Sequence, residues 1–106
     1  MNNHVITKNN TNTSPINALL ADPLALEIAE VVSREELSFQ ELSEITHENK
    51  KKLEHELDVL SESRILKQHQ QGDHITYYLC QPQIAQTVHI LYRLWANSVV
   101  AQISGA

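Results

Sequence analysis

Residues 38–60 read SFQELSEITHENKKKLEHELDVL, and the organisation of the chain follows from them. Ser38 with Glu41 three residues on is a capping box. The serine hydroxyl satisfies a free backbone N–H of the first turn, and the glutamate reaches back to the serine's own N–H. This opens a short helix through Leu42 and Ile45. Thr46 to Glu48 break the pattern, and Asn49 caps a second, longer helix. On that helix Leu53, Leu57 and Leu60 recur at i, i+4 and i+7 with Val59 beside them, so one face is apolar and the other is free. Two helices joined by a tight turn, the second longer and amphipathic, form a helix-turn-helix.

Working outward, Ser14-Pro15 and Asp22-Pro23 repeat one start signal, a capping side chain followed by proline at the first helical position. The first helix carries Ile16, Leu19 and Leu20. The second carries Leu26, Ile28, Ala29, Val31 and Val32, is apolar on most sides and ends near Ser33. Residues 1–13 are rich in Asn and Thr with almost no apolar content, which predicts a disordered arm. On the other side, residues 65–70 and 74–79 flank Gln71-Gly72-Asp73 and read as a β-hairpin with a polar tip. After Pro82 a final helix sets Ile84, Val88, Leu91, Trp95 and Val99 at steps of three and four. Ile90 and Leu94 widen that stripe beyond the needs of one small core, which predicts a partner, most simply a second copy.

The bulk properties bound the function. A chain of 106 residues with 42% apolar side chains makes one domain. The single cysteine, Cys80, excludes an intrachain disulfide and fits a reducing compartment. No apolar run approaches the ~18 residues of a membrane span, and the start of the chain lacks the apolar block of a signal peptide, so a cytoplasmic protein without membrane contact is expected. The two glycines, Gly72 and Gly105, leave no glycine-rich phosphate loop. With no HExxH and no nucleophile–base signature, catalysis is not expected. The net charge of −5 counts against general attraction to nucleic acid.

Three segments in order resemble the arsenical-resistance-repressor (ArsR-like) family of bacterial winged-helix regulators, over about residues 16–94. Ala18-Leu19-Leu20-Ala21-Asp22-Pro23, continued by Leu26-Glu27-Ile28, is similar to that family's AL-DP-R-EIL opening. Leu42 through His55-Glu56-Leu57-Asp58-Val59-Leu60 to Ile65-Leu66 is similar to its ELA…HHLKVL…GLV segment. The stretch from Gln71 to Leu79, QGDHITYYL, is similar to its REGRHVYYRL wing.

The resemblance implies a mainly α, winged helix-turn-helix fold with a β-hairpin wing, in the order α-α-α-α-β-β-α. The domain would span residues 14–101, with 82–101 as a dimerisation helix and 102–106 as a flexible tail. It implies a transcriptional regulator, a repressor, that occupies an operator in double-stranded DNA as a homodimer. The dimer would form through the first and last helices, by Ile16, Leu19, Leu20, Ile84, Val88, Leu91, Trp95 and Val99. It places Asn49, Lys50, Lys51, Lys52 and His55 at the groove. Ser38 and Gln40 at the start of the preceding helix, and Lys67, His69, Gln71 and His74 on the hairpin, are expected to reach the adjacent DNA.

The chain also departs from the family pattern. Ala25 stands where the family often has Arg, and His47 where it usually has Gly. From Ser38 to His74 eight carboxylates face five lysines and arginines, a net −3 where a duplex-binding surface is normally positive. That charge keeps a second reading open, a winged-helix protein-interaction module that has lost DNA binding. The paired cysteines of an arsenic site are missing, and Gln81, Gln83, Leu94 and Asn97 stand at the positions of the family's zinc site. No metal or cofactor is therefore expected. His69 and His74, on opposite strands, could approach one another near Asp73, although two solvated wing residues are the plainer reading. Cys80 is a redox candidate only by pairing with its copy in a second subunit, which needs Cα atoms within about 7 Å. The sequence names no effector.

Overall fold

A computed structural model of the chain describes residues 15–104, with side chains from 16 to 99; the expected arm at 1–13 and residues 105–106 lie outside them. The elements are α1 (Pro15–Leu20), α2 (Pro23–Val32), β1 (Leu37–Ser38), α3 (Phe39–Thr46), α4 (Lys50–Glu62), β2 (Leu66–Gln71), β3 (His74–Leu79), a single 3-10 turn at Pro82–Ile84, and α5 (Ala85–Ser104).

Local chemistry sets the helix starts. The Asp22 carboxylate accepts from the Leu24 N–H at 2.8 Å, with Pro23 in the first turn of α2. The Ser38 hydroxyl accepts from Glu41 N–H at 3.2 Å while the Glu41 carboxylate accepts from Ser38 N–H at 2.9 Å. Asn49 Oδ1 accepts from Lys52 N–H at 2.8 Å. Each bond spans two or three residues, so each was readable in the sequence.

α2 is the central element, touching α1, α3, α4, α5 and β3. Ala25, Ile28 and Ala29 on it are fully buried. Leu42 of α3, Leu53, Leu57 and Leu60 of α4, Ile65, Leu66 and Leu79 around the wing, and Val88 of α5 complete the core. Burying each such aliphatic side chain stabilises the fold by about 1.5–3 kcal/mol.

The sheet holds a strand that the sequence reading did not contain. The order is β1-β3-β2, all antiparallel, with Leu37 opposite Tyr77 and Ser38 opposite Thr76. Two residues carry too little alternation to show as a strand, and β1 exists because β3 offers it a paired edge. The hairpin is also tighter than expected. Gln71 belongs to β2 and pairs with His74, so the turn is Gly72-Asp73 alone, with Gly72 at φ 61°. A positive φ at the first turn residue is what two-residue hairpins need. At the other end the helix does not begin at Pro82. The 3-10 turn intervenes, and α5 then continues to Ser104, three residues past the expected boundary at 101. No helix among the described residues is long and apolar enough to cross a membrane.

α4 ends in a left-handed residue. Ile65 N–H donates to Leu60 O at 3.0 Å and Arg64 N–H to Ser61 O at 3.1 Å, with Arg64 at φ 65°. This helix stop ordinarily uses glycine, since a side chain there costs about 1–2 kcal/mol. Arg64→Gly is therefore expected to raise stability by about 1 kcal/mol, or roughly 4–8 °C in Tm for a domain this size. A thermal melt showing an unchanged or lower Tm would mean the arginine makes up the difference through its side chain.

Candidate nucleic-acid interface

The helix-turn-helix is α3 and α4, joined by His47, Glu48 and Asn49. His47 takes the glycine-like role at the turn, with φ 59° and its N–H on Ser43 O at 3.0 Å. Thr46 Oγ1 donates to Leu42 O and accepts from Glu48 N–H, which fixes the exit of the turn. α4 then buries Leu53, Glu56, Leu57 and Leu60, and leaves Lys50, Lys51, Lys52, Glu54, His55 and Asp58 exposed. The first turn of α4 thus presents the ammonium groups of Lys50 and Lys51, which form no ion pair among the described residues, beside the helix's positive dipole end.

The structure divides the expected DNA-contacting residues into two groups. Gln40, Asn49, Lys50, Lys51, His55, Lys67, Gln71 and His74 are exposed on α3, the turn, α4 or the wing. Three others make contacts within the chain, Lys52 and His69 while still exposed. Ser38 is buried at 8% exposure, held by pairing to β3 and by its capping bonds. Lys52 points back toward the body, its Nζ 3.9 Å from Asp22 and 4.0 Å from Glu48. There it sits beside a crowd of carboxylates. Burial, then Asp22, push the Glu56 carboxyl above its ordinary value, against the pull of His55 and Lys52. Burial, then Glu48, do the same to Glu27.

The third is His69, which is exposed on the wing. It lies opposite Thr76, and its Nδ1 is 2.8 Å from Glu36. Thr76 Oγ1 donates to the same Glu36 oxygen. The Thr76 hydroxyl, then His69, hold the Glu36 carboxyl below its ordinary value. Glu36, in the loop before β1, thereby ties the wing to the body, a role the sequence reading missed. A single Glu 33 residues from its partner leaves no local signal. Among the described residues no three His, Cys, Asp or Glu side chains are grouped to hold a metal. Cys80 is a half-buried free thiol after β3, with its N–H on Ile65 O at 2.8 Å.

The expected dimer face also divides. Leu19 and Val88, at 1% and 0% exposure, are covered by their own protomer and act as backing rather than surface. Ile16, Leu20, Ile90 and Leu94 stay open at 44%, 57%, 49% and 62%. Leu20 and Leu94 line one groove of about 350 Å³, together with Leu91 and Trp95. Ile84, Leu91, Trp95 and Val99 are half-buried.

A second buried contact links α2 to α5. Glu30, 4% exposed, receives Arg34 Nη2 at 2.7 Å and lies 3.2 Å from His89 Nδ1. Burial raises its carboxyl, but the hydrogen bonds from Arg34 and His89 outweigh that, and the net displacement is below the ordinary 4.5. A depressed acid stabilises the fold above its unfolded pKa and loses that contribution as pH falls through its folded one. Glu56, displaced upward, acts oppositely, opposing folding when ionised and relieved by protonation. Urea titrations at pH 7 should therefore show Glu30→Gln less stable and Glu56→Gln more stable than the native chain. Both differences should shrink toward acid, the Glu56 one first because its folded pKa lies higher. Same-sign effects at pH 7 would refute this assignment.

Three solved proteins are similar in fold. The transcriptional repressor BigR from Xylella fastidiosa gives a TM-score of 0.69 at 26% identity, covering 89% of this chain and 96% of that one. Reduced HlyU from Vibrio cholerae gives 0.68 at 20% identity, covering 88% and 98%. The homodimeric winged helix-turn-helix DNA-binding domain of Mb0332 from Mycobacterium bovis, a possible ArsR-family transcriptional regulator, gives 0.69 at 13% identity, covering 95% and 93%. No family model and no curated protein matches the chain. The chain shares its fold with these three proteins, one of them a winged helix-turn-helix DNA-binding domain.

Proposed function

We propose that the chain is a cytoplasmic homodimeric transcriptional regulator, a repressor, that places α4 in the major groove of an operator and works without a resident metal. The observation that carries the reading is the pair Lys50 and Lys51, exposed on the first turn of α4 with no ion pair among the described residues, beside an exposed wing. Gln40, Asn49 and His55 flank that turn and take base or phosphate contacts, while Lys67, Gln71 and His74 meet the neighbouring backbone. Ser38 leaves the contact set, while the exposed Lys52 and His69 reach DNA only by giving up their contacts with Asp22 and Glu36. The repressor BigR and the homodimeric DNA-binding domain of Mb0332 support this reading by their likeness. The dimer face is the open apolar surface of α1 and α5.

The test is binding to a fluorescent random-sequence duplex at low and at moderate salt, native chain beside Lys50→Ala/Lys51→Ala. Leaving Lys52 in place preserves its contact with Asp22 and Glu48. Native binding should weaken steeply with salt. Each neutralised phosphate contributes about 0.9 to the logarithmic slope. Removing four ammonium groups from a dimer should therefore flatten that slope by about 3–4. Absence of native binding even at low salt would defeat the reading. It would favour the protein-interaction module, for which exposed Glu54 and Asp58 on the same helix are the supporting observation.

A further inference from the structure

Between α4 and the wing lies a groove of about 430 Å³, lined by Phe39, Glu54, Leu57, Asp58, Ile75 and Tyr77. Ile75 and Tyr77 share one face of β3, Glu54 and Asp58 stand one helical turn apart on α4, and Phe39 joins the lining from the start of α3. The volume falls in the range of about 300–1,000 Å³ that small ligands occupy. The lining joins two aromatic rings and two aliphatic side chains to two carboxylates. Among the described residues no Lys, Arg or His forms an ion pair with Glu54 or Asp58. Burial, and then Asp58 and Glu54, push the Tyr77 hydroxyl above its ordinary value, so the ring faces both an apolar wall and negative charge.

We infer that this groove binds a small organic cation with an apolar body, of the quaternary or tertiary amine class. Two carboxylates beside two aromatic rings in one groove are complementary to such a group, because an ammonium is attracted to aromatic rings as well as to anions. An anion is repelled by both carboxylates, and a neutral molecule leaves them unneutralised beside apolar surface. The position gives the ligand a consequence that rests on the DNA-binding reading above. An occupied groove cancels negative charge between the two elements that meet phosphate, so the cation tightens duplex binding as a co-repressor does.

The test uses benzyltrimethylammonium, with benzyl alcohol and benzenesulfonate as neutral and anionic comparisons, titrated into the isotopically labelled native chain without DNA. Saturable amide shifts at Phe39, Ile75 and Tyr77, at least tenfold weaker for the two comparisons, are expected. The exposed changes Glu54→Gln/Asp58→Asn should weaken the cation at least tenfold while the rest of the spectrum stays as in the native chain. Three results overturn the inference: no saturable shift, equal affinity for benzyl alcohol, or indifference to the double variant. Shifts at the same amides on raising protein concentration alone also overturn it, because a second copy then covers the groove. A second arm adds the cation to the duplex titration. Cation binding without any duplex binding refutes the DNA reading and leaves the site standing, so the two failures are distinguishable.

Discussion

Ile28→Ala is expected to lower stability by about 3–4 kcal/mol, within the range of 2–5 measured for aliphatic truncations in well-packed cores. Ile28 is fully buried on α2, the helix that touches both arms of the helix-turn-helix, β3 and α5. The change removes apolar area and leaves a cavity that five surrounding elements cannot jointly collapse to fill. A domain of this size has about 5–15 kcal/mol in all, so about a fifth to four fifths of the margin would be lost. With a urea dependence of about 1–2 kcal/mol/M, the midpoint should fall by roughly 1.5–4 M. Ile45→Ala, at a position 41% exposed, should cost under about 0.5 kcal/mol. Protein concentration must be held constant, because a dimer's midpoint depends on it. Equal effects at the two positions would show that α2 is not the centre of the core.

The second large effect is expected from Leu20→Glu combined with Leu94→Glu. Both leucines are more than half exposed on one protomer, so the protomer's own core loses nothing. Both line the same apolar groove beside Trp95. If that groove is the dimer face, each subunit brings two carboxylates into apolar contact, where unpaired charge is strongly disfavoured. Light scattering should show the native chain at twice the protomer mass and the variant at the protomer mass, with an unchanged helical spectrum. Duplex affinity should fall by two orders of magnitude or more, since a dimer engages two half-sites and a monomer one. A native chain of protomer mass, or a variant that stays dimeric, would remove α1 and α5 from the interface.

What the sequence by itself determined is everything encoded within a few residues. The caps at Asp22, Ser38 and Asn49 act over two or three positions. The Leu53, Leu57 and Leu60 stripe repeats with the helical turn, and Gly72 supplies the positive φ of the hairpin. Those features gave the order of the helices and the hairpin, though not β1 or the 3-10 turn, and, through three ordered likenesses, the winged helix-turn-helix. They also gave Lys50 and Lys51 at a helix start.

What only the tertiary structure decided is which of the named side chains remain free. Lys52 follows Lys50 and Lys51 in one charge run, yet packing sets it against Asp22, thirty residues away. Pairing of β1 to β3 buries Ser38. Glu36 reaches His69 across 33 residues, and Glu30 reaches His89 across 59. Leu19 and Leu20 are neighbours in the chain, but one is core and the other open surface. The physical reason is the same in each case. A cap or a periodic stripe is an interaction between near neighbours, fixed once the backbone is local helix or turn. An ion pair or a buried face depends on which distant element arrives beside it, and the packing around α2 determines that.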